Sequence, residues 1–418
     1  MHATYTELKD SGEKWLGLIP REWPLQHLRY VFRPSKQVVG VSATEYELLS
    51  LTRRGVISRS EVEGGKNPEN YDTYQVVEPN DLLVCLFDYD VTPRTVGEVT
   101  RRGMVTGAYT VLKPATKICT RYYYYLFLSL DETKELLHLC TGLRNGLTKP
   151  VFFGLNVPLP DFGVQQNIVE YLDLETAKID NLIVKQERLL ALLEEKRRGT
   201  ITHIVTRGLK PNADLKESGI PWLGKIPAQW NVYPLYSYVQ ENRRSNKGMI
   251  NENVLSLSYG RIVEKNVDNG GLMPESFETY QIVKPGDIIL RLTDLQNDHT
   301  SLRVGHSGYE GIITSAYVNI SSDKYDSQYL YYLLHAFDLL KVFYNLGGGL
   351  RQGMKFSDVK RLPAFDVAKK EQLEIVDYLV KQQLKTDDIK QKIQTQITLL
   401  KERRTSLISH TVTGKLKV

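Results

Sequence analysis

The stretch SGEKWLGLIPREW, residues 11–23, returns as SGIPWLGKIPAQW at residues 218–230. Eight of the thirteen positions are identical at an offset of 207, where typical residue frequencies give about one by chance. Working outward, the offset persists. Tyr74-Gln-Val-Val77 with Pro79 and Asp81 returns as Tyr280-Gln-Ile-Val283 with Pro285 and Asp287. Tyr122 and Leu126 return as Tyr329 and Leu333, Gly142-Leu-Arg-Asn-Gly146 as Gly349-Leu-Arg-Gln-Gly353, and Ile168-Val-Glu-Tyr-Leu172 as Ile375-Val-Asp-Tyr-Leu379. A period of 207 is far longer than the roughly 20–50 residues of a solenoid unit. The chain therefore reads as two copies of one complete module. Between the matched blocks the copies part company: TRRGVISRS (52–60) shares little with SYGRIVEKN (258–266), and residues 87–95 share little with 293–301. One scaffold carrying two sets of loops implies two similar sites of different specificity.

Within each copy, short strand signals behind Pro-containing turns mix with amphipathic helices, and past Pro160 and Pro363 the pattern becomes long and helical. A 4–3 apolar spacing runs Ile168, Leu172, Glu175, Ile179, Leu182, Gln186, Leu189, Leu193 in the first copy. The second gives Ile375, Leu379, Gln382, Thr386, Ile389, Ile393, Gln396, Leu400, with Asp366 as the expected N-cap. Such a seam, free of Pro and Gly, wants a partner helix. A duplicated module supplies one in its other copy, antiparallel about a pseudo-two-fold axis. The expected fold is α+β: two mixed α/β domains (residues 1–160 and 211–365) separated by a long antiparallel two-helix coiled coil built from residues 161–210 and 366–418.

The charge balance, 54 basic against 49 acidic residues for a net +5, permits nucleic-acid binding without arguing for it. Composition is that of an ordinary folded protein, with no apolar run near the roughly 18 residues of a membrane span. The start of the chain has no signal-peptide layout, and Cys85, Cys119 and Cys140 make no disulfide or zinc framework. A cytoplasmic location with reduced thiols is the expectation. Phosphate-loop, HExxH and GxSxG signatures are all missing, as is the Asn/Asp-Pro-Pro-aromatic tetrapeptide of amino-methyltransferases. The Tyr122–Tyr125 run sits at helical spacing and reads as packing rather than base stacking. His299 and His306 have no companions of metal-ligand type.

The informative charges are those in the divergent loops. Arg53, Arg54, Arg59 and Arg94 in the first copy face Tyr259, Arg261, Lys265, Asn297, His299 and Arg303 in the second. Arg144 and Lys149, and Arg351, Gln352 and Lys355, follow the Gly-Leu turns. Lys and Arg neutralise phosphates, and Arg, Asn and Gln make bidentate contacts to purine edges. As a set, placed where the copies differ, these are the candidate DNA contacts.

The SGxxWLGxIPxxW openings, the GLRxG loops, the IV[ED]YL helix starts and the endings Glu194-Glu-Lys-Arg197 and Lys401-Glu-Arg-Arg404 resemble specificity subunits of type I restriction–modification systems, across essentially the whole chain. The resemblance implies two target-recognition domains, each reading one half of a bipartite asymmetric double-stranded DNA site, and a chain that carries no chemistry of its own. It implies two methyltransferase subunits that bind S-adenosylmethionine and methylate adenine, and two motor-nuclease subunits that use ATP and Mg. The helix surfaces around 188–207 and 401–413 are then the expected methyltransferase docking sites. The same layout is also compatible with a type IIB-like system, and the rival enzyme reading is a single-chain methyltransferase or nuclease.

Overall fold

The computed structural model describes residues 5–62, 70–71, 73–265, 276–295, 298, 300–346 and 353–418. It divides into two units, residues 1–187 with 394–418 and residues 188–393. Each unit holds one mixed domain, the first part of one long helix and the last part of the other.

The duplication is visible strand by strand. In the first unit an antiparallel four-stranded sheet runs in the order Phe32–Ser35, Thr110–Pro114, Leu82–Val84, Val96–Glu98. In the second the order is Gln240–Glu241, Val318–Ser321, Ile288–Leu290, Val304–His306. The central strands are buried on both faces, so they read as unbroken apolar runs rather than alternating ones. Leu82 and Val84 point into the large core with Trp23, Tyr122 and Leu126, while Leu83 points the other way, into a small core with Leu49, Val56 and Val111. Ile288 and Leu290 against Ile289 repeat this division exactly one copy later.

The small core is the underside of a β-hairpin, Leu49–Thr52 with Gly55–Ser58, matched in the second unit by Leu255–Ser258 with Arg261–Glu264. The hairpin lies so close to the sheet that a Cβ on Gly97 would stand 2.5 Å from Leu51 Cδ1 and 2.6 Å from Val56 Cγ2. Gly305 meets Leu257 at the same 2.5 Å. A Gly97→Ala substitution is expected to push the hairpin outward and destabilise the first unit by about 1–3 kcal/mol, the usual cost of overpacking. Thermal denaturation checks this, and an unchanged melting temperature contradicts it.

The helix Thr120–Thr133 covers the sheet. Tyr122, Tyr123 and Tyr125 are all buried, and their hydroxyls donate to Val412 O (2.8 Å), Pro158 O (3.0 Å) and Asp173 Oδ1 (2.5 Å). These tyrosines tie the domain to both long helices and leave no ring faces for bases.

The long helices are Phe162–Arg207 and Lys369–Val412, 46 and 44 residues, or about 69 and 66 Å at 1.5 Å per residue. Asp366 is not the N-cap of the second. The chain is still extended there from the strand Pro363–Phe365, with the Asp366 N–H on Asn231 O, and the helix opens three residues later. In the first unit the helices run antiparallel: Arg404 Nε bonds Asp180 Oδ1 at 2.9 Å and Gln186 Nε2 bonds Gln396 Oε1 at 3.2 Å. In the second unit Lys390 Nζ bonds Glu194 Oε2 at 3.0 Å in the same sense. The Glu194 carboxyl is held down at about 2 by its bonds from Arg197 and then from Lys390.

The residues turned inward from the first helix are Ile168, Leu172, Thr176, Ile179, Ile183, Gln186, Leu190 and Leu193, all buried or half-buried. The second gives Ile375, Leu379, Gln383, Thr386, Lys390, Ile393, Ile397 and Leu400, the same positions moved by 207. Three expected apolar seam residues are corrected by this, and the polar Glu175, Gln382 and Gln396 likewise give way to Thr176, Gln383 and Ile397. Leu182, Leu189 and Ile389 are 46%, 42% and 43% exposed, because the seam passes through the next residue in each case. The cause is a repeated four-residue step, 168 to 172 to 176, after which threes and fours alternate again, so that 176, 183 and 190 each fall one residue later than strict 4–3 alternation puts them while 179, 186 and 193 stay in place. Among the described residues no helix is long and apolar enough to cross a membrane.

Candidate nucleic-acid interface

The two hairpin tips carry divergent sequence. Arg53 and Arg54 form the turn of the first hairpin, where Thr52 Oγ1 accepts from Arg54 N (3.1 Å), and the Arg54 guanidinium donates to Glu61 O (2.9 Å). Tyr259 and Gly260 form the turn of the second, both at left-handed φ (47° and 77°), with the Tyr259 ring almost fully in solvent and Arg261 exposed beside it. Lys265 is exposed at the end of the same hairpin, and Arg59, just past the first, is half-buried and partnered.

Arg53 faces the loop that leaves strand Leu82–Val84. Together with Cys85, Thr92, Pro93, Arg94 and Tyr109 it lines a cleft of about 280 Å³. Burial pushes the Cys85 thiol and the Tyr109 phenol up, so both are neutral and Arg53 is the exposed charge of the cleft. Arg94 is drawn to the cleft wall by Glu132, 3.7 Å away, which also takes Arg404 Nη1 (3.1 Å) and Thr405 Oγ1 (2.7 Å). Its place is thus a junction between loop and helix, with limited reach outward.

Arg144 lies on the turn Gly142–Gly146, its guanidinium over the Phe87 ring and bonded through Nε and Nη2 to both oxygens of Asp88. That pairing lowers the Asp88 carboxyl. Lys149 is exposed three residues on, at the start of the helix Lys149–Gly154.

Arg303 is a correction. It is 0% exposed, and its guanidinium donates inward to Thr293 O (2.9 Å), Asp294 O (3.4 Å), Asp298 O and Tyr344 Oη (3.2 Å). It cannot reach DNA from there; it gathers the divergent loop from beneath. Asn297, His299, Arg351 and Gln352 lie outside the described residues, and so do Gly347–Gly349.

Lys355 is exposed on the rim of a cleft of about 540 Å³ in the second unit, with Arg243, Arg244, Tyr280 and Tyr317. Arg244 Nη1 is 2.5 Å from Asp287 Oδ2, and Arg243 Nη2 is 2.9 Å from Glu241 Oε2. Sequence reasoning missed Arg243 and Arg244. The adjacent pair was readable, but it stands on a strand end outside the two segments where the copies differ most. Both units thus present an open cleft edged by arginine with tyrosine in its wall, and in the first unit the hairpin tip itself lines that cleft. Such a surface can bind phosphates and read base edges.

No protein-family model matches the sequence, and no curated protein does. Solved structures do match. A chain from a study of complex assembly and conformational transition in the type I R-M system superposes with a TM-score of 0.68 at 15% identity, covering 95% of this chain and 99% of that one. The HsdS subunit from Thermoanaerobacter tengcongensis gives 0.54 at 13% identity, covering 95% and 98%. The fold is that of an HsdS subunit. At these identities the likeness is one of architecture, and it covers 95% of this chain.

Proposed function

We propose that this chain is the DNA-specificity subunit of a type I restriction–modification system, in which each mixed domain reads one half of a bipartite asymmetric site. The observation that carries the reading is the duplication itself: a scaffold repeated strand by strand in the sheet and residue by residue in the seam, holding hairpin tips that share little sequence. One site type with two specificities is what a bipartite asymmetric target demands. Arg53, Arg54, Arg59, Arg144 and Lys149 serve the first half-site, and Tyr259, Arg261, Lys265 and Lys355, with Arg243 and Arg244, serve the second. Exposed helix surface around 188–207 and 401–413 docks two methyltransferase subunits, which bring S-adenosylmethionine; two motor-nuclease subunits bring ATP and Mg. The chain itself does no chemistry.

The test is methylome sequencing of a host carrying the chain with its methyltransferase subunit. Replacing residues 26–160 by another recognition domain is expected to change one half of the methylated motif and leave the other intact. Change in both halves, or adenine methylation by the purified chain alone, overturns the proposal.

A further inference from the structure

One feature of the first unit is shared by the copies where a base-reading element should differ. The Gly-Leu-Arg-x-Gly sequence stands at 142–146 and again at 349–353, and in the first copy it forms a turn fastened to the most divergent loop. The described turn is rigid. Thr141 and Gly146 exchange backbone bonds of 2.9 and 3.0 Å, and Asp88 N and Tyr89 N bond Arg144 O and Asn145 O at 2.8 and 3.2 Å. Asn145 Nδ2 adds a bond to Asp90 Oδ2 at 2.8 Å. At its tip Leu143 is 106% exposed, touching nothing. A lone exposed leucine is ordinary. A leucine at the apex of a stapled turn, beside an arginine, in a Gly-Leu-Arg-x-Gly sequence that both copies carry, is not explained by folding.

The turn rests on the loop whose other limb, Thr92 to Arg94, walls the Arg53 cleft, so Leu143 is continuous with the proposed DNA surface. Arg144 is no phosphate clamp, because Asp88 neutralises it. Asp88 occupies Nε–H and one Nη2–H, and the remaining Nη1–H and Nη2–H donors are held in a plane facing outward, fit for a base edge. Asp88 holds a left-handed φ of 48°, and Asp294, 206 residues later, holds 56°.

A shared element serves a shared task. Under the specificity-subunit reading, on which this inference rests, the half-sites differ in sequence. Each nonetheless contains one adenine that must leave the base stack before it is methylated. The geometry points to Leu143 as an apolar wedge that enters the stack at the first half-site's target adenine, with Arg144 donating to the base left unpaired. Apolar side chains on rigid supports unstack base steps in this way.

The experiment uses the full chain reconstituted with its methyltransferase subunits and S-adenosylhomocysteine, on duplexes with 2-aminopurine replacing the target adenine of either half-site. The wild-type complex is expected to raise 2-aminopurine fluorescence in both. Leu143→Ala is expected to cut that rise by about threefold or more in the first half-site only, with Leu143→Met retaining it and the second half-site as internal control. An undiminished rise in the first half-site overturns the wedge. Loss of methyltransferase subunits from the Leu143→Ala complex before DNA is added also overturns it, by making the leucine a protein contact. If the wild-type complex binds neither duplex, the specificity reading fails, and the wedge with it.

Discussion

Arg303→Ala is expected to lower the stability of the second unit by about 3–5 kcal/mol, the cost of deleting one member of a buried, hydrogen-bonded charge network. The guanidinium is wholly buried and satisfies three backbone carbonyls of the loop 293–298 besides Tyr344 Oη. Its charge stands 3.6 Å from the Asp298 carboxylate, which bonds to Ser301 and Thr300 hold well below the usual range. The Arg303 N–H also donates to Asp338 Oδ2 at 2.6 Å, so the residue joins loop, sheet edge and helix. Truncation leaves carbonyls without donors and a cavity under the loop. At this size the melting temperature of the second unit falls by roughly 10 °C. A base contact predicts something else: an unchanged melting temperature and a relaxed second half-site. That outcome would falsify the structural role.

The first copy secures the same loop with different residues, which explains why sequence misplaced Arg303. At the matching sheet position stands Thr95, whose N and Oγ1 bond Asp131 at 3.0 and 2.7 Å, while Lys134 Nζ holds Thr92 O at 2.9 Å. A basic residue in a divergent loop is, from sequence, equally a ligand for DNA or for the loop's own carbonyls; only burial separates them. The seam shows the same limit. Leu182-Ile183 and Leu189-Leu190 are apolar pairs, so a phase error of one residue leaves the pattern looking sound. What marks the correct phase is Thr176, buried and bonded to Leu172 O at 2.6 Å, a residue no hydrophobic template selects. Duplication, sheet contents, paired helices and the tyrosine packing were legible because each is stated twice in the sequence. Arg243 and Arg244 were not, since they stand just past a strand end, outside the segments where the copies diverge. The Asp88 support of Arg144 depends on a contact 56 residues long, which no local pattern carries.

His335→Leu is expected to stabilise the second unit, and by more as the pH falls. His335 occupies the position of Leu128 in the first copy, 207 residues earlier. It is buried, stacked on Tyr331 at 5.4 Å, and neither ring nitrogen has a hydrogen-bond partner among the described residues. Burial, then the Arg197 charge, push its pKa down to about 4, with Glu194 opposing and Arg198 adding to the depression. The folded state therefore binds fewer protons than the unfolded state between about 6.5 and 4, and stability is lost as pH falls through that window. Asp338 works in the other direction. Burial raises its carboxyl to about 6 against the bond from Arg303 N, so its contribution is lost as pH rises from its ordinary value near 4 to 6. In the wild-type protein the two slopes largely cancel across that range. Leucine removes one of them. At pH 7 the variant gains about 1–3 kcal/mol from deleting two unsatisfied buried polar atoms. By pH 4 the advantage grows by about 3 kcal/mol more, at about 1.4 kcal/mol per unit of pKa shift. Paired denaturation curves at pH 7, 5.5 and 4 read the difference directly. A constant gap between variant and wild type would show that His335 is protonated in the folded state at its ordinary pH, and that the pocket around Tyr331 admits the charge.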